Sequence, residues 1–243
     1  MAHAYLIAEL ADTRTGATVT VTGDEARHAV KVARLRTGES IILVNGRGLR
    51  ANCEVTATAS DSFTVTVLEA STEPRLQPQL HLSQALAKGG RDEAAVQAAV
   101  ELGVDSVIPW QAQRSVSQWR GDKVEKQRAR WAAICREATK QSLRSWQPEV
   151  REFALGVKAL PNAIPGAQLL VLDPWARVKL SEVSLEADDL LLVVGPEGGL
   201  SEQELDHLMQ AGAQSVRLGD SVLRTSTAGA AALSVLQLRL GRW

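Results

Sequence analysis

The 243-residue sequence predicts an α/β protein in which a small β-rich module precedes a larger domain built on a mostly parallel sheet. Up to about Ala70 the chain consists of short stretches that alternate polar and apolar residues, which is typical of strands. Beyond that point apolar strands alternate with helical segments, and this alternation implies parallel strands covered by helices on both faces. We therefore predict two domains, comprising residues 1–72 and 73–243.

Four strands and one helix are predicted in the N-terminal module. The strands are ATVTVTG, SIILVNG, RANCEVTATAS and SFTVTVLEA, separated by Gly, Asn and Asp turns. A helix from Asp24 to Arg36 is indicated by the spacing of Ala26, Ala29, Val30 and Ala33. This composition predicts a small β-barrel-like fold, and the polar, proline-containing segment STEPRLQPQ follows it as a linker.

The larger domain is predicted to contain five strands and four helices. Its strands are QLHLSQAL, VDSVIPW, AQLLVLD, DLLLVVG and SVRLG. Its helices are RDEAAVQAAVELG, DKVEKQRARWAAICREATKQSLR, a segment from Glu202 to about Ala211, and a final segment from about Thr227 to Leu240. Because ligands of parallel sheets bind beyond the carboxyl ends of the strands, the residues that follow these strands are the candidates for a site.

Composition argues against membrane, metal and disulfide proteins. The apolar run Leu190–Val194 is far too short to cross a bilayer and the N-terminus does not resemble a signal peptide, so we expect a cytoplasmic protein. The two cysteines, Cys53 and Cys135, are far apart and indicate reduced, buried thiols. The four histidines are scattered without a second ligand at metal spacing, so we expect no metal.

The charge distribution points to nucleic acid although the net charge is only −1. From Arg114 to Arg151 ten cationic residues stand against four acidic ones, an excess that could attract a phosphate backbone. Four tryptophans lie in or beside this stretch and could stack on bases: Trp110, Trp119, Trp131 and Trp146. The alternative is structural, because tryptophans often anchor cores and charged helices often face solvent.

The most informative segment is LLLVVGPEGGLSEQE, which joins an apolar strand to a helix start. Ser201 and Glu204 match a capping box, and Leu200 and Leu205 occupy the positions of a hydrophobic staple. The glycines allow a ligand to approach the backbone closely, and the helix N-terminus offers free N–H groups. The lysine of a phosphate-binding loop is absent, and so is the dinucleotide-binding glycine pattern, so the segment is neither of these motifs. The alternative is a glycine turn with no ligand.

Two further loops follow strand ends. The segment VRLGDSVLRTSTAGAAAL passes through Gly219 and brings Arg224 in front of a helix of small residues. The N-cap candidates of that helix are Thr225, Ser226 and Thr227. The segment LLVLDPWA places Asp173 and Pro174 at a comparable position, so three strand ends are predicted to line one pocket.

Together with KGGRDEAAVQAAVELGV and HAVKVARLRTGE, these segments resemble the RsmE family of the SPOUT superfamily, which methylates N3 of a uridine in small-subunit ribosomal RNA. The resemblance covers nearly the whole chain in order, and GPEGGLS with LG-x-x-VLRT-x-TA is its most specific part. It implies a PUA-like RNA-binding barrel in residues 1–72 and a SPOUT methyltransferase domain with a C-terminal trefoil knot in 73–243. It also implies S-adenosylmethionine as methyl donor, 16S ribosomal RNA of the small subunit as substrate, and a homodimer.

The resemblance also implies which residues form the site. The donor-binding residues are Leu170, Leu172, Asp173, Gly195, Pro196, Glu197, Gly198, Gly199, Leu218, Gly219, Val222, Leu223, Thr225 and Ala228. For catalysis we expect Arg224 to stabilise charge on a uracil oxygen or its neighbouring phosphate, and Glu197 to orient the donor or accept a proton. The expected RNA contacts are His28, Lys31, Arg34, Arg36, Arg136 and Arg144.

Several positions depart from the family pattern, and two other functions compete. Ser226 replaces a frequent glutamate, Lys140 and Leu143 replace an acid and a glycine, and Ala33 replaces a leucine. One alternative is a SPOUT methyltransferase that acts on transfer RNA or on another nucleotide. The other is a non-catalytic RNA-binding protein of ribosome assembly that keeps the fold and binds no donor.

Overall fold

A computed structural model describes residues 3–11 and 13–243 of the chain. Its residues divide into two compact units. Unit 1 contains the described residues up to Arg75 together with Thr139–Gln147. Unit 2 contains Leu76–Ala138 and Pro148–Trp243. The division near Arg75 falls in the proline-containing segment, whereas the inclusion of Thr139–Gln147 in unit 1 has no signal in the sequence.

Unit 1 is a five-stranded sheet with one helix. The sheet order is β1-β3-β4-β5-β2, and every neighbouring pair is antiparallel except β1 and β3. The strands are β1 (His3–Leu6), β2 (Thr18–Thr22), β3 (Ser40–Val44), β4 (Leu49–Thr58) and β5 (Ser62–Thr72), and the helix is α1 (Gly23–Lys31). The four predicted strands are confirmed, whereas β1 is too short to give a clear alternation.

Helix α1 is shorter than the sequence predicts. Its spacing brings Ala26 and Ala29 onto the core formed by the inward residues of the sheet. We predicted a helix to Arg36, but α1 ends at Lys31, and Arg34 adopts a positive φ of 57°. This left-handed conformation is costly for a residue with a Cβ and is incompatible with a continuing right-handed helix.

The segment Thr139–Gln147 is held within unit 1 by polar contacts. The Lys140 ammonium lies 3.1 Å from a Glu25 carboxylate oxygen, and both side chains are largely buried. The Arg50 guanidinium donates to the Leu143 carbonyl over 2.8 Å. Lys140, a departure from the family pattern, therefore has a charged partner in this chain. The Leu143 carbonyl is a contact that any residue would supply, but the leucine side chain also packs against a cluster of unit 1 that contains Ile42 and Val44.

Unit 2 is built on a parallel sheet in the order β11-β13-β10-β12-β6-β7-β8, with β9 also paired to β7. Its strands are β6 (Gln79–Ala85), β7 (Ser106–Gln111), β8 (Glu149–Val150), β9 (Ala154–Leu155), β10 (Gln168–Leu172), β11 (Val178–Lys179), β12 (Asp189–Val194) and β13 (Gln214–Arg217). The α-helices are α2 (Arg91–Glu101), α3 (Lys123–Gln141, which ends in unit 1), α4 (Glu202–Gln210) and α5 (Thr225–Arg239). Two 3₁₀ turns occupy Val157–Asn162 and Leu180–Glu182.

The predicted parallel sheet is confirmed, and both of its faces are covered. Along β12 the side chains of Leu190, Leu192 and Val194 pack in one cluster with residues of α2, α3 and α5. Leu191 and Val193 point the other way and pack with residues of α4 and the first 3₁₀ turn. Because both faces are buried, the strand is apolar throughout. The trefoil knot stays a prediction, since strand order does not define which segment passes through which loop.

Helix α5 approaches the sheet closely through its small residues. A Cβ added at Gly229 would lie 3.1 Å from Leu82 Cδ1 and 3.5 Å from Val194 Cγ2. The small residues of AGAAA therefore allow the close packing that their composition predicts.

The structure also shows the environment of the thiols. Cys53 and Cys135 are both buried thiols outside any disulfide, as predicted. Burial raises the pKa of the Cys53 thiol to about 11, so it stays protonated at neutral pH. Among the residues that the structure describes, no helix has the length and apolar character needed to cross a membrane.

A buried polar group joins the amino ends of three strands. His81 Nδ1 lies 2.7 Å from the Ser106 hydroxyl, and His81 Nε2 lies 2.9 Å from Asp189 Oδ1. The three residues belong to β6, β7 and β12. A serine, a histidine and an aspartate joined by hydrogen bonds resemble a catalytic triad. Ser106 is only 1 % exposed, however, so a substrate cannot reach its hydroxyl. The group therefore stabilises the sheet.

We expect His81→Leu to lower the free energy of unfolding by about 2 kcal/mol, because it leaves the Ser106 hydroxyl and the Asp189 carboxylate without their shared partner. Urea denaturation measures the change. His28→Leu, at an exposed position, serves as the control and should stay within about 0.5 kcal/mol of the parent. Equal stability of the two variants would contradict this role of His81.

Candidate functional site

A cavity of about 730 Å³ opens beyond the carboxyl ends of β10, β12 and β13. Three loops line it. The first contributes residues 172–175, the second 194–202, and the third 216–219 and 221–225. Arg91 and Arg114 add to the wall. The prediction that three strand ends line one pocket is confirmed. A volume of this size suits a ligand of nucleoside dimensions.

The residues expected to bind a donor converge on this cavity with one exception. Leu172, Asp173, Gly195 to Gly199, Leu218, Gly219, Val222, Leu223, Thr225 and Ala228 all line it. Leu170 does not, because it lies two residues before the end of β10 and is fully buried in the core. Its side chain packs in the core, and a role for Leu170 in donor binding stays a prediction.

The loop GPEGGLS is fixed at its far end by the start of α4. The Ser201 hydroxyl accepts from the Glu204 backbone N–H over 3.2 Å, and the Glu204 carboxylate accepts from the Ser201 N–H over 2.9 Å. The predicted capping box is therefore present. Glu204 also accepts from the Gln113 backbone N–H over 2.7 Å, so the helix start is tied to the segment that follows β7.

Thr225 joins two of the loops rather than capping a helix. Its hydroxyl donates to the Gly195 carbonyl over 2.7 Å and accepts from Gln84 Nε2 over 2.9 Å. Both side chains are buried. We predicted a helix from about Thr227 with a hydroxyl N-cap, but α5 begins at Thr225, and its N-cap, Arg224, makes no side-chain capping bond. The hydroxyl is used by the neighbouring loop instead.

At two positions of the cavity, nothing within the protein requires the residue to be glycine. At Gly219 a Cβ would meet no atom within 4 Å, and at Gly195 its nearest contacts, to Leu200, would be ordinary ones of 3.5 Å. Neither residue has a left-handed backbone. Because neither packing nor conformation demands glycine, their bare backbones are free for a ligand to approach. At Gly198, by contrast, a Cβ would lie 3.1 Å from Arg114 Cβ, so protein packing restricts this position.

Four arginines line the cavity, and three of them are engaged. Arg91 pairs with Glu197 at 3.1 Å, and Arg217 pairs with Asp220. Arg114 donates to the carbonyls of Gly198 and Leu200, each over 3.2 Å. Within the described part of the chain, the guanidinium of Arg224 has no hydrogen-bond or ion-pair partner. Arg224 is thus the cation of this cavity that is available to a ligand.

Glu197 is held as an anion. Its Oε1 accepts from the Lys88 backbone N–H over 3.2 Å and from Arg91 Nη1 over 3.1 Å. Partial burial acts to raise the pKa of the Glu197 carboxyl, but hydrogen bonds from its own backbone N–H, from Lys88 and from Arg91 outweigh it and leave that pKa below the usual value. Such a carboxylate is a weak proton acceptor. Its contacts fasten the glycine loop to the start of α2.

Three of the four tryptophans proposed for base stacking lie in the core. Trp110 and Trp131 are fully buried and Trp119 nearly so. Trp119 and Trp131 pack edge to face with ring centroids 5.4 Å apart. The structural alternative holds for these three, because a buried indole cannot reach a base. Trp146 is partly exposed, and the Arg75 guanidinium lies 4.2 Å from its ring centroid.

Much of the basic stretch is neutralised internally. Its ion pairs join Arg128 to Glu125 and Glu152, Arg130 to Glu93, Lys140 to Glu25, and Arg151 to Glu149. Several of the acidic partners lie outside the stretch, which is why a count along the sequence overestimates the free positive charge.

The residues expected to contact RNA fall into two groups. In unit 1 the side chains of His28, Lys31, Arg34 and Arg36 are exposed in and after α1. Arg144 lies in the second segment of unit 1 and Arg136 on α3 in unit 2, and both are only partly exposed.

Other residues of the cavity carry no clear signal in the sequence. Arg91 comes from the start of α2, far along the chain from the three loops, and Trp175 follows Pro174 in the first of them. Gln84 does not line the cavity but supports it from beneath by its bond to Thr225. Over residues 3–11 and 13–243, no cluster of three or more His, Cys, Asp or Glu side chains could hold a metal ion.

Two family models match the chain. An RNA methyltransferase domain matches residues 74–237, and an RNA methyltransferase PUA domain matches residues 21–68.

Relatives match along almost the whole chain. The ribosomal RNA small subunit methyltransferase E of Mycobacterium bovis is 40% identical over 94% of this chain and 89% of its own length. That of Bacillus subtilis is 33% identical over 90% of this chain and 89% of its own. The crystal structure of the same enzyme from Neisseria gonorrhoeae, bound to S-adenosyl methionine, superposes with a TM-score of 0.87 and 29% identity, covering 98% of both chains.

We expect Thr225→Val to lower the free energy of unfolding by about 1–3 kcal/mol, because the shape is kept while the Gln84 amide and the Gly195 carbonyl lose a buried partner. Thr225→Ser keeps the hydroxyl and should recover most of the loss. Urea denaturation of the two variants and the parent tests the link. If valine is tolerated as well as serine, the hydroxyl does not fasten the loop.

Proposed function

The chain belongs to the ribosomal RNA small subunit methyltransferase E family of RNA methyltransferases, and from this we propose that it transfers the methyl group of S-adenosylmethionine to N3 of a specific uridine in 16S ribosomal RNA. The observation that carries the proposal is the cavity beyond β10, β12 and β13. It gathers the residues expected to hold the donor and presents one unpaired arginine beside them.

The residues of the cavity fit the donor. Gly195 and Gly219 leave bare backbone where a Cβ would project into open space or make only ordinary contacts. Leu172, Leu218 and Ala228 supply apolar wall for the adenine ring and for the methylene groups of the methionine part. When bound, S-adenosylmethionine supplies an electrophilic methyl group on a sulfonium. We propose that residues of the three loops hold it in this cavity.

The acceptor nitrogen must lose a proton before or during transfer. A bond forms between N3 and the methyl carbon, the bond from that carbon to sulfur breaks, and the N3 proton leaves to a base or to water. Removing the proton leaves negative charge shared with the two uracil oxygens. We propose that Arg224 stabilises this charge on one oxygen or on the neighbouring phosphate, since its guanidinium has no partner among the residues that the structure describes.

We propose a positioning role for Glu197 in place of proton transfer. Its carboxylate already accepts two hydrogen bonds and its pKa is lowered, which reduces its tendency to take a further proton. By binding Lys88 and Arg91 it holds the GPEGG loop against α2. The orientation of the donor then depends on Glu197 through the loop.

For the RNA we propose four exposed basic residues of unit 1 as the principal contacts. His28, Lys31, Arg34 and Arg36 lie within a short segment at and after α1, within or beside the match to the PUA domain. Arg136 and Arg144 are proposed as further contacts, the small ribosomal subunit as the context of the RNA, and a homodimer as the working assembly.

The proposed reaction is tested by methyl transfer from labelled S-adenosylmethionine to small ribosomal subunits from a strain that lacks this enzyme. Large subunits, naked ribosomal RNA and transfer RNA are assayed in parallel. We expect label in 16S RNA, identified as N3-methyluridine by nuclease digestion and mass spectrometry. Label in another RNA would show that this RNA, and not 16S RNA, is the substrate. No label in any RNA, with donor binding intact, would refute the proposed acceptor.

We expect Arg224→Ala to lower kcat about 100-fold while the Kd of S-adenosylmethionine stays within about threefold, because the lost charge acts on the acceptor. Calorimetric titration of the donor and single-turnover assays separate the two effects.

Gly219→Ala is the matched variant with the opposite expectation. Its Cβ meets no protein atom, so folding should be unaffected while donor affinity falls. Full activity of Arg224→Ala would remove Arg224 from catalysis.

A further inference from the structure

Three apolar side chains are exposed at the rim of the cavity. Trp175 is 84 % exposed, and Val222 and Leu223 are exposed beside the free Arg224 in the chain. Leaving a large aromatic side chain in water forgoes a substantial burial free energy, so an indole on a surface is informative. It contrasts with Trp110, whose ring is fully buried in the core.

Trp175 is displayed by an ordered turn. Its backbone N–H donates to Asp173 Oδ1 over 2.9 Å, and Asp173 Oδ2 accepts from the Ser215 hydroxyl over 2.9 Å. The Ala176 N–H donates to the Asp173 carbonyl over 3.1 Å. Pro174, between them, restricts the backbone further. The backbone that carries the indole is therefore ordered before any ligand arrives, which lowers the entropic cost of contact.

The surroundings of Trp175 favour a nucleobase as its ligand. Gly195 and Gly219 offer bare backbone to the donor, whereas Trp175 and Arg224 line the same cavity with side chains that are exposed to solvent. A flat aromatic surface stacks on a flat base, and an unpaired guanidinium nearby can bind the carbonyl oxygen or phosphate of the same nucleotide. An aromatic surface together with a cation is how proteins bind unpaired nucleotides.

We propose that the indole of Trp175 stacks on the nucleobase that receives the methyl group. The inference rests on the proposed function and adds the residue that presents the face of the base. Stacking fixes the plane of the ring, so that in-plane N3 points toward the donor while Arg224 contacts an oxygen of the same ring. Because every base has a π-face, Trp175 sets orientation and affinity, and other groups select uracil.

The test compares full-length parent, Trp175→Ala and Trp175→Phe on unmethylated small ribosomal subunits. We expect Trp175→Ala to raise KM for the subunit and to weaken RNA binding about tenfold, the effect of removing one base-stacking side chain. Trp175→Phe should recover to within about threefold, because phenylalanine also stacks. The Kd of S-adenosylmethionine and the sedimentation coefficient should be unchanged in both. Trp243→Ala is the matched control, since Trp243 is 61 % exposed and does not line the cavity.

Each contrary outcome has a distinct meaning. Weaker donor binding in Trp175→Ala would assign the indole to the donor, and a smaller sedimenting species would assign it to an interface between copies. Unchanged KM and RNA affinity with an active parent would overturn the stacking alone. An inactive parent would overturn the proposed function, and in that case RNA affinity that still falls in Trp175→Ala would support stacking on a base.

Discussion

The site depends on one buried hydroxyl. Thr225 binds the Gly195 carbonyl and the Gln84 amide, and so connects the ends of β12 and β6 with the start of α5. Glycine-rich loops have high conformational entropy, and a loop that must leave its backbone bare for a ligand cannot be stiffened by larger side chains of its own. Thr225 and Arg114 supply stiffness from outside the loop, and Glu197, the one large polar side chain within GPEGG, adds to it by turning away to bind Lys88 and Arg91.

The same constraint explains how charge is distributed around the cavity. Arg91, Arg114 and Arg217 are occupied by carboxylates or carbonyls of the protein, and their role is to hold loops in place. Arg224 differs from these three. Its backbone carbonyl accepts hydrogen bonds from the first turn of α5, but its guanidinium binds no carboxylate or carbonyl of the described residues. A cation with no internal partner can change partners during a reaction without disturbing the fold around it.

The sequence could predict those features that depend on local pattern. The apolar strands of unit 2, the capping box at Ser201 and the convergence of three loops all follow from periodicity and chain order. Features that depend on distant partners could not be predicted. From the sequence the Thr225 hydroxyl is a candidate helix cap, because its partner, the Gly195 carbonyl, is 30 residues away. Arg130 of α3 likewise pairs with Glu93, which lies outside the basic stretch. The same limit applies to Trp131, whose burial is decided by the helices that cover it.

The composition of unit 1 has a consequence for synthesis of the chain. Its sheet is finished at Thr72, yet Lys140 and Leu143, the partners of Glu25 and Arg50, are translated much later. At ordinary elongation rates the interval lasts seconds, during which the sheet lacks the Lys140 ammonium and the Leu143 carbonyl that contact it in the folded chain. A nascent chain therefore holds an incomplete unit 1 until the ribosome has passed Gln147, and premature termination before that point yields a fragment that lacks part of this unit.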